Sequence, residues 1–329
     1  MRSSSLLVGV LVSVGVMLSG CDKADTAKTP AQLSQPAAAE KSAEQQEVEK
    51  YNLYVEAANR GGNFGEILQQ RREEYQPALA SKKPLTNYYI FNTQDITNVR
   101  ENFTKALAIN VSMPELDEPA KTTLVALEKL APLQADLANY AASKGYLSDD
   151  GKKARDSEPA LDAALEAVAV EQEKFFDGLT KRDEINTRKA FDDADKDSVE
   201  YYEAGIVLYA KESVKNATAF YRANGESDTA KPFEDSLNKT AQMIEGWDKK
   251  TRSADKPSQC SSTLSTFNSF VAKGRESIAN ARKGDYKPRD EGRMMKMDTP
   301  AETDAKRFGS LFNDVINKLN TNKHYNSCS

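Results

Sequence analysis

The chain has one histidine, one tryptophan and three cysteines in 329 residues. Those shortages exclude several kinds of chemistry at once. A zinc centre needs several Cys or His ligands, which the chain cannot supply. Histidine-dependent catalysis would rest on His324 alone, in a polar stretch shortly before Cys328, with no pre-organised base beside it. No block of Lys or Arg occurs, and the formal net charge is −5. That balance argues against nucleic acid and against electrostatic docking on anionic lipid. Glycine is too sparsely grouped for a phosphate cradle: Gly61-Gly62-Asn63-Phe64-Gly65 lacks a preceding strand and a following lysine, and reads as a hinge between two helices. No apolar run is long enough to span a bilayer as a helix.

The most informative stretch is Leu18-Ser19-Gly20-Cys21. It follows Met1, Arg2 and an apolar run from Leu6 to Met17, the length of a signal-peptide core. Small residues directly before a cysteine, at the end of such a run, form the lipobox of bacterial lipoproteins. The expectation is cleavage before Cys21, a diacylglycerol on its sulfur and a third acyl chain, such as palmitate, on its amine. The alternative is an ordinary secretory signal with a chance cysteine. Removing residues 1–20 takes Arg2 alone, leaving 44 basic and 50 acidic side chains. Attachment to the membrane would then be covalent, at roughly 0.8 kcal/mol per buried CH₂ of acyl chain. Asp22 is associated with inner-membrane retention in enteric bacteria; Lys23 beside it weakens that signal and leaves the choice of membrane open.

Lipidation of Cys21 leaves Cys260 and Cys328. An even remainder in an oxidising periplasm points to one disulfide, closing a loop of about 68 residues worth roughly 4 kcal/mol of chain entropy. Two free thiols are the alternative. Residues 22–45 are rich in Ala, Gln, Ser, Lys and Glu, with Pro30 and Pro36 and almost no large apolar side chain. They read as a disordered tether spanning roughly 25–30 Å.

From residue 46 to 329 the pattern is helical nearly throughout. Val48, Tyr51, Tyr54, Val55 and Ala58 mark one face of a helix ending at Gly61-Gly62. A second runs from Phe64 to Ala80. Residues 84–91 are the only strand-like run, a short strand or an extended connector. Thr93 or Asp95 is expected to cap the next helix, with Ile96, Val99, Phe103 and Leu107 on its face. In the amphipathic stretch 115–144, Pro132 should kink or split the helix, and Gly145 should stop it. After a polar loop at 148–157, Pro159 opens a long stretch. Another follows around Val199 to Phe220, ended by Asn224-Gly225, and three more lie around 233–250, 264–283 and 301–319. The interval 283–300 reads as a loop. The expected architecture is all-α, an elongated antiparallel bundle of about six to eight helices. No composition break divides the helical region into domains.

Two further patterns carry possible chemistry. Asp193, Asp195 and Asp197 occupy positions 1, 3 and 5 of an EF-hand loop, but Ser198 stands where glycine is needed and Ala204 where a bidentate carboxylate is needed. A solvated charge run, starting at Asp192, is the reading we adopt. The aromatic doublets Tyr88-Tyr89, Tyr201-Tyr202, Phe175-Phe176 and Phe220-Tyr221 suit bundle cores, and equally the walls of a ligand groove.

Three places resemble a known family. Glu49-Lys50 with Tyr54-Val55 and Asn59 opens the helical region; Tyr201-Tyr202 precedes the apolar run 204–209 and Ala210-Lys211; Phe312-Asn313, Val315 and Leu319-Asn320 close it. Together with the lipobox they resemble the YiiG-like bacterial lipoproteins, which share a domain of unknown function. The resemblance implies a helical envelope domain and transfers no catalytic residue, metal or cofactor. The expectation is a non-enzymatic, lipid-anchored protein of the cell envelope facing the periplasm, with a binding or scaffold role toward an envelope protein. The alternative is a solute-binding module with a tyrosine-lined groove between helices.

Overall fold

In a computed structural model the described residues are 42–81, 83–252, 261–287 and 298–325. Cys21, Cys260, Cys328 and the tether up to residue 41 lie outside them. Of the described residues 84% are helical and none forms a strand. Among the described residues ten α-helical segments follow one another: α1 Ala43–Arg60, α2 Phe64–Gln70, α3 Gln76–Ala80, α4 Thr93–Ala108, α5 Pro114–Ala142, α6 Lys152–Asp193, α7 Val199–Arg222, α8 Ser227–Arg252, α9 Ser261–Lys283 and α10 Pro300–Tyr325. A π turn, Arg71–Tyr75, joins α2 to α3, and a 3₁₀ turn, Gly145–Leu147, follows α5. Eight of the helices have 16 residues or more.

The start of α1 is fixed by a capping box. The Ser42 hydroxyl accepts from the Gln45 amide while the Gln45 side chain accepts from the Ser42 amide. At α4 the cap is Asn92, not Thr93 or Asp95: its extended backbone lets its side-chain oxygen accept from the Gln94 amide. Residues 84–91 form the extended connector and no strand, because no neighbouring strand offers them a ladder.

Pro132 does not split α5, which carries both Pro119 and Pro132 inside 29 residues. Nor does Gly145 take the left-handed stop; Lys144 does, with φ 54°. A side chain on Gly145 would run into the Tyr140 ring. Pro159 lies inside α6, whose first turn begins earlier, at Lys152. The Asn224-Gly225 stop holds: both have positive φ, and the Gly225 amide donates to the Phe220 carbonyl at 2.9 Å.

The described residues group into two compact units dividing between Asp183 and Glu184. The division falls inside a continuous helix, so composition does not mark it. In the first unit, α6 is the spine. α1 runs antiparallel to it, with Tyr54 against Phe175, and α2–α3 continues along it from Phe64 to Leu79. α5 also packs along α6, Thr122 bonding Glu171 and Lys153 bonding Asp136. Tyr54, Phe103 and Phe175 close an aromatic triangle joining α1, α4 and α6, with Phe103 and Phe175 centred 4.6 Å apart.

In the second unit, α7 packs on α8 and α10, and α9 packs on the same two. The pairings Ser213–Thr240 and Trp247–Glu203 make α7 and α8 antiparallel. Those of Phe270 with Phe308 and Lys273 with Asp304 join α9 and α10. The four close into an up-down-up-down bundle around Phe220, Phe233, Trp247, Phe267, Phe270 and Phe308, each at most 2% exposed.

Candidate functional site

Two centres in the polar core of the first unit are each built from a cation placed on an apolar helix face. Lys50, Tyr54 and Ala57 share one face of α1 at i, i+4 and i+7, and Lys50 is 2% exposed. Its Nζ lies 2.8 Å from Asp117 Oδ1 and donates to the Val111 carbonyl at 2.5 Å. Tyr54 donates to the same carboxylate at 2.6 Å, and the Met113 amide does so at 3.0 Å. Burial pushes Asp117 up, but the bonds from Lys50, Tyr54 and Met113 outweigh it and hold the carboxyl below the usual range. Burial and the bond to Asp117 push the Tyr54 phenol well above the ordinary value. These groups tie α1 to the turn before α5.

The second unit repeats the device. Asp304, in the first turns of the proline-started α10, takes Lys273 at 2.7 Å, the Tyr286 hydroxyl at 2.5 Å and the Asn280 amide at 3.3 Å. Both clusters are saturated, with each carboxylate facing a lysine and a phenol. They hold helices together and offer no free valence for a ligand.

The other centre of the first unit differs. Phe64 and Leu68 of α2 and Arg71, the first residue of the π turn, face inward together, and Arg71 is 3% exposed. The π turn begins at Arg71, its carbonyl accepting from the Gln76 amide. That extra residue lets Leu79, eight positions on, still face inward. Arg71 Nη2 donates to Glu158 Oε2 of α6 at 2.5 Å, and Nη1 to the Tyr89 carbonyl at 3.3 Å. Arg71 Nε–H, Glu158 Oε1 and the Tyr88 hydroxyl are buried with no hydrogen-bond partner among the protein's atoms. Burial pushes the Tyr88 phenol up; the Arg71 guanidinium opposes the shift through its charge and the Glu158 carboxylate adds to it, and Arg71 also approaches the phenol as a donor, without reaching hydrogen-bond geometry. The three groups are thus electrostatic neighbours.

The connector over this centre is fixed at both ends. Arg155 of α6 donates to the carbonyls of Leu79 and Lys83. Buried Gln134 of α5 donates to the Phe91 carbonyl at 2.8 Å and accepts from the Thr93 hydroxyl. Between these anchors stand Tyr88 and Tyr89. The Arg71 guanidinium lies 5.8 Å from the Tyr75 ring centre. Tyr75 and Tyr89 stack at 5.9 Å, and Tyr89 is 53% exposed. The next residue, Arg72, turns outward and grips Asp162 through Nε and Nη2 at 2.9 and 2.7 Å.

Of the aromatic doublets, only Tyr88-Tyr89 meets unmet polar groups. Phe175, Phe220 and Tyr221 are buried in the cores; Tyr201 stacks on Phe191 at 4.8 Å. Tyr202 donates to Asp197, which also pairs with Lys250. Asp193 pairs with Lys189, so members of the acidic run face cations. Among the described residues no group of three or more His, Cys, Asp or Glu side chains is placed to hold a metal. His324 belongs to the last turns of α10. No helix of the described residues is long and apolar enough to cross a membrane.

Sequence reading had not singled out Lys50, Asp117, Arg71 or Glu158 as a site. The signal was present: a cation at i or i+7 of an otherwise apolar helical stripe marks a buried charge that needs an anion.

Residues 45–321 match the model of one family, described as a protein of unknown function (DUF3829). No curated protein and no solved structure matches the chain.

Proposed function

The chain belongs to DUF3829, a family of unknown function, and from that premise we propose that it is a non-enzymatic binding protein of the bacterial cell envelope, held by lipid on Cys21. The YiiG-like lipoprotein naming is part of this proposal. It is supported by the lipobox at residues 18–21 and by the low apolar content of residues 22–41 ahead of the first helix cap at Ser42.

The observation that carries the binding reading is the Arg71–Glu158–Tyr88 centre. It combines unmet hydrogen-bonding capacity with an exposed aromatic neighbour, and it contains no nucleophile paired with a base. That geometry supports the solute-binding form of the proposal over a purely structural scaffold, whose faces would need no buried unpaired polar atoms.

Native mass spectrometry of the full-length protein extracted from membranes tests the form of binding. A co-purifying small molecule lost in Tyr88→Phe supports the solute form. A reproducible crosslinked envelope protein without such a molecule supports the scaffold form. Cys21→Ser should move the protein from the membrane to the soluble fraction, and an unchanged distribution would remove the lipid anchor from the proposal.

A further inference from the structure

The three unpartnered atoms of this centre are complementary in kind. Arg71 Nε–H can only donate, Glu158 Oε1 can only accept, and the Tyr88 hydroxyl can do either. A buried donor or acceptor left unmet costs about 1–3 kcal/mol. Three such atoms around one ion pair therefore mark a place where a further polar atom is expected. The ion pair, joined by Arg71 Nη2 and Glu158 Oε2 at 2.5 Å, leaves no net charge to recruit an anion or a cation. The missing group must be neutral, and it must accept from a guanidinium while donating to a carboxylate.

We infer that Arg71, Glu158 and Tyr88 form a binding site for one hydroxyl-type oxygen, which accepts from Arg71 Nε–H, donates to Glu158 Oε1 and bonds the Tyr88 hydroxyl.

One oxygen of this kind has the bonding capacity that all three protein atoms require, within the two to four polar partners usual for a buried water. A carbonyl or ether oxygen could not donate to Glu158, and an ammonium could not accept from Arg71. Two sources share the required chemistry: water, and the hydroxyl of a sugar or other alcohol. The alcohol would meet the stacked rings of Tyr75 and Tyr89, of which Tyr89 is half exposed. The π turn matters here because it begins at Arg71 itself. It joins α2 to α3 while Leu68 before Arg71 and Leu79 after it both remain buried.

The inference deepens the binding reading at the same centre, and its water arm stands without it. The test is a high-resolution crystal structure of the protein grown and frozen without added polyols, followed by a soak in glucose as probe. A single round density peak within hydrogen-bond distance of the three atoms, undisturbed by glucose, supports the hydroxyl site with water as its occupant and counts against the solute-binding reading. Density that extends from the same point toward Tyr89, before or after the soak, supports the site with an alcohol as its occupant. No peak, or a peak bonded to fewer than two of the three atoms, overturns the inference. Tyr88→Phe should lower the occupancy of the peak, and unchanged occupancy would remove Tyr88 from the site. Should that variant fail to fold, the wild-type density alone decides.

Discussion

Lys50 and Asp117, 67 positions apart in the chain, meet with Nζ 3.0 Å from Oδ2 and 2.8 Å from Oδ1. The lysine side chain is 3% exposed and the carboxylate 13%. Truncating one partner of such a pair strands the other in a low-dielectric site, at about 3–5 kcal/mol. Asp117 is the more exposed of the two, but it also serves Tyr54 and the Met113 amide. Lys50→Met and Asp117→Ala are therefore both expected to destabilise the first unit by about 3 kcal/mol or more. Urea unfolding followed by the circular dichroism of the helices would measure it, and a loss under about 1 kcal/mol, the scale of an exposed pair, would show the pair to be peripheral.

Acid should act on both units through the same chemistry. Burial pushes Asp304 up, but bonds from Lys273 and Tyr286, the Lys273 charge and Asn280 outweigh it and hold the carboxyl below its ordinary 3.8; Asp117 behaves alike. A carboxylate lowered in the folded state releases its proton more readily there than when unfolded. Its contribution is complete above the unfolded value near 3.8 and disappears as pH falls through the lower folded one. Stability should therefore be insensitive to these groups at neutral pH and fall steeply below about pH 4. Asp304→Asn should lower stability at pH 7 and flatten the acid limb. An acid limb unchanged by both Asp117→Asn and Asp304→Asn would show that other carboxylates control it.

Much of the fold was legible because helical periodicity is a local property. The Asn224-Gly225 stop and the span from Phe64 to Ala80 follow from side chains within one turn of each other. What could not be read depended on distant partners. Pro132 reads as a helix breaker, yet α5 continues through it, since burial of Leu130, Gln134 and Leu137 outweighs the loss of one backbone bond. The division after Asp183 lies inside a helix and has no local mark at all. The candidate site was half legible: Tyr88-Tyr89 stood out as a doublet, whereas Arg71 and Glu158 are ordinary charges until α2 is laid against α6. Likewise Lys50 stood out only as a family-like position and Tyr54 as a member of the first helix's apolar face, and their common partner Asp117 emerged from the fold.

Gly178 of α6 lies against the backbone of the first turn of α5. A Cβ there would overlap the Glu115 carbonyl oxygen and press on Leu116. Glu115 is also the residue whose carbonyl would bond an amide at position 119, and Pro119 has none to offer. The backbone at this crossing is therefore close and cannot be swung aside like a flexible side chain. Gly178→Ala gains about 1 kcal/mol in helix propensity and should still be net destabilising by about 1–2 kcal/mol through overpacking. Thermal unfolding measures the sign directly: a raised Tm would mean that α6 moves away from α5 without cost.

Cys260 and Cys328 lie outside the described residues, but they flank two helices whose packing is known. Cys260 directly precedes α9, and Cys328 follows the end of α10 at Tyr325. Lys273 pairs with Asp304, and Phe270 with Phe308 and Phe312. These pairings run antiparallel, so the beginning of α9 and the end of α10 lie toward the same end of the second unit. That placement supports the disulfide proposed from cysteine arithmetic, closing a loop of about 68 residues for roughly 4 kcal/mol of chain entropy. Thiol labelling of the unfolded, unreduced protein should leave both cysteines unmodified, and reduction should expose both. Labelling of two cysteines without reductant would refute the bond. If the bond is present, Cys260→Ser should lower the stability of the second unit by about 2–4 kcal/mol while leaving an Asp117-dependent unfolding step of the first unit in place.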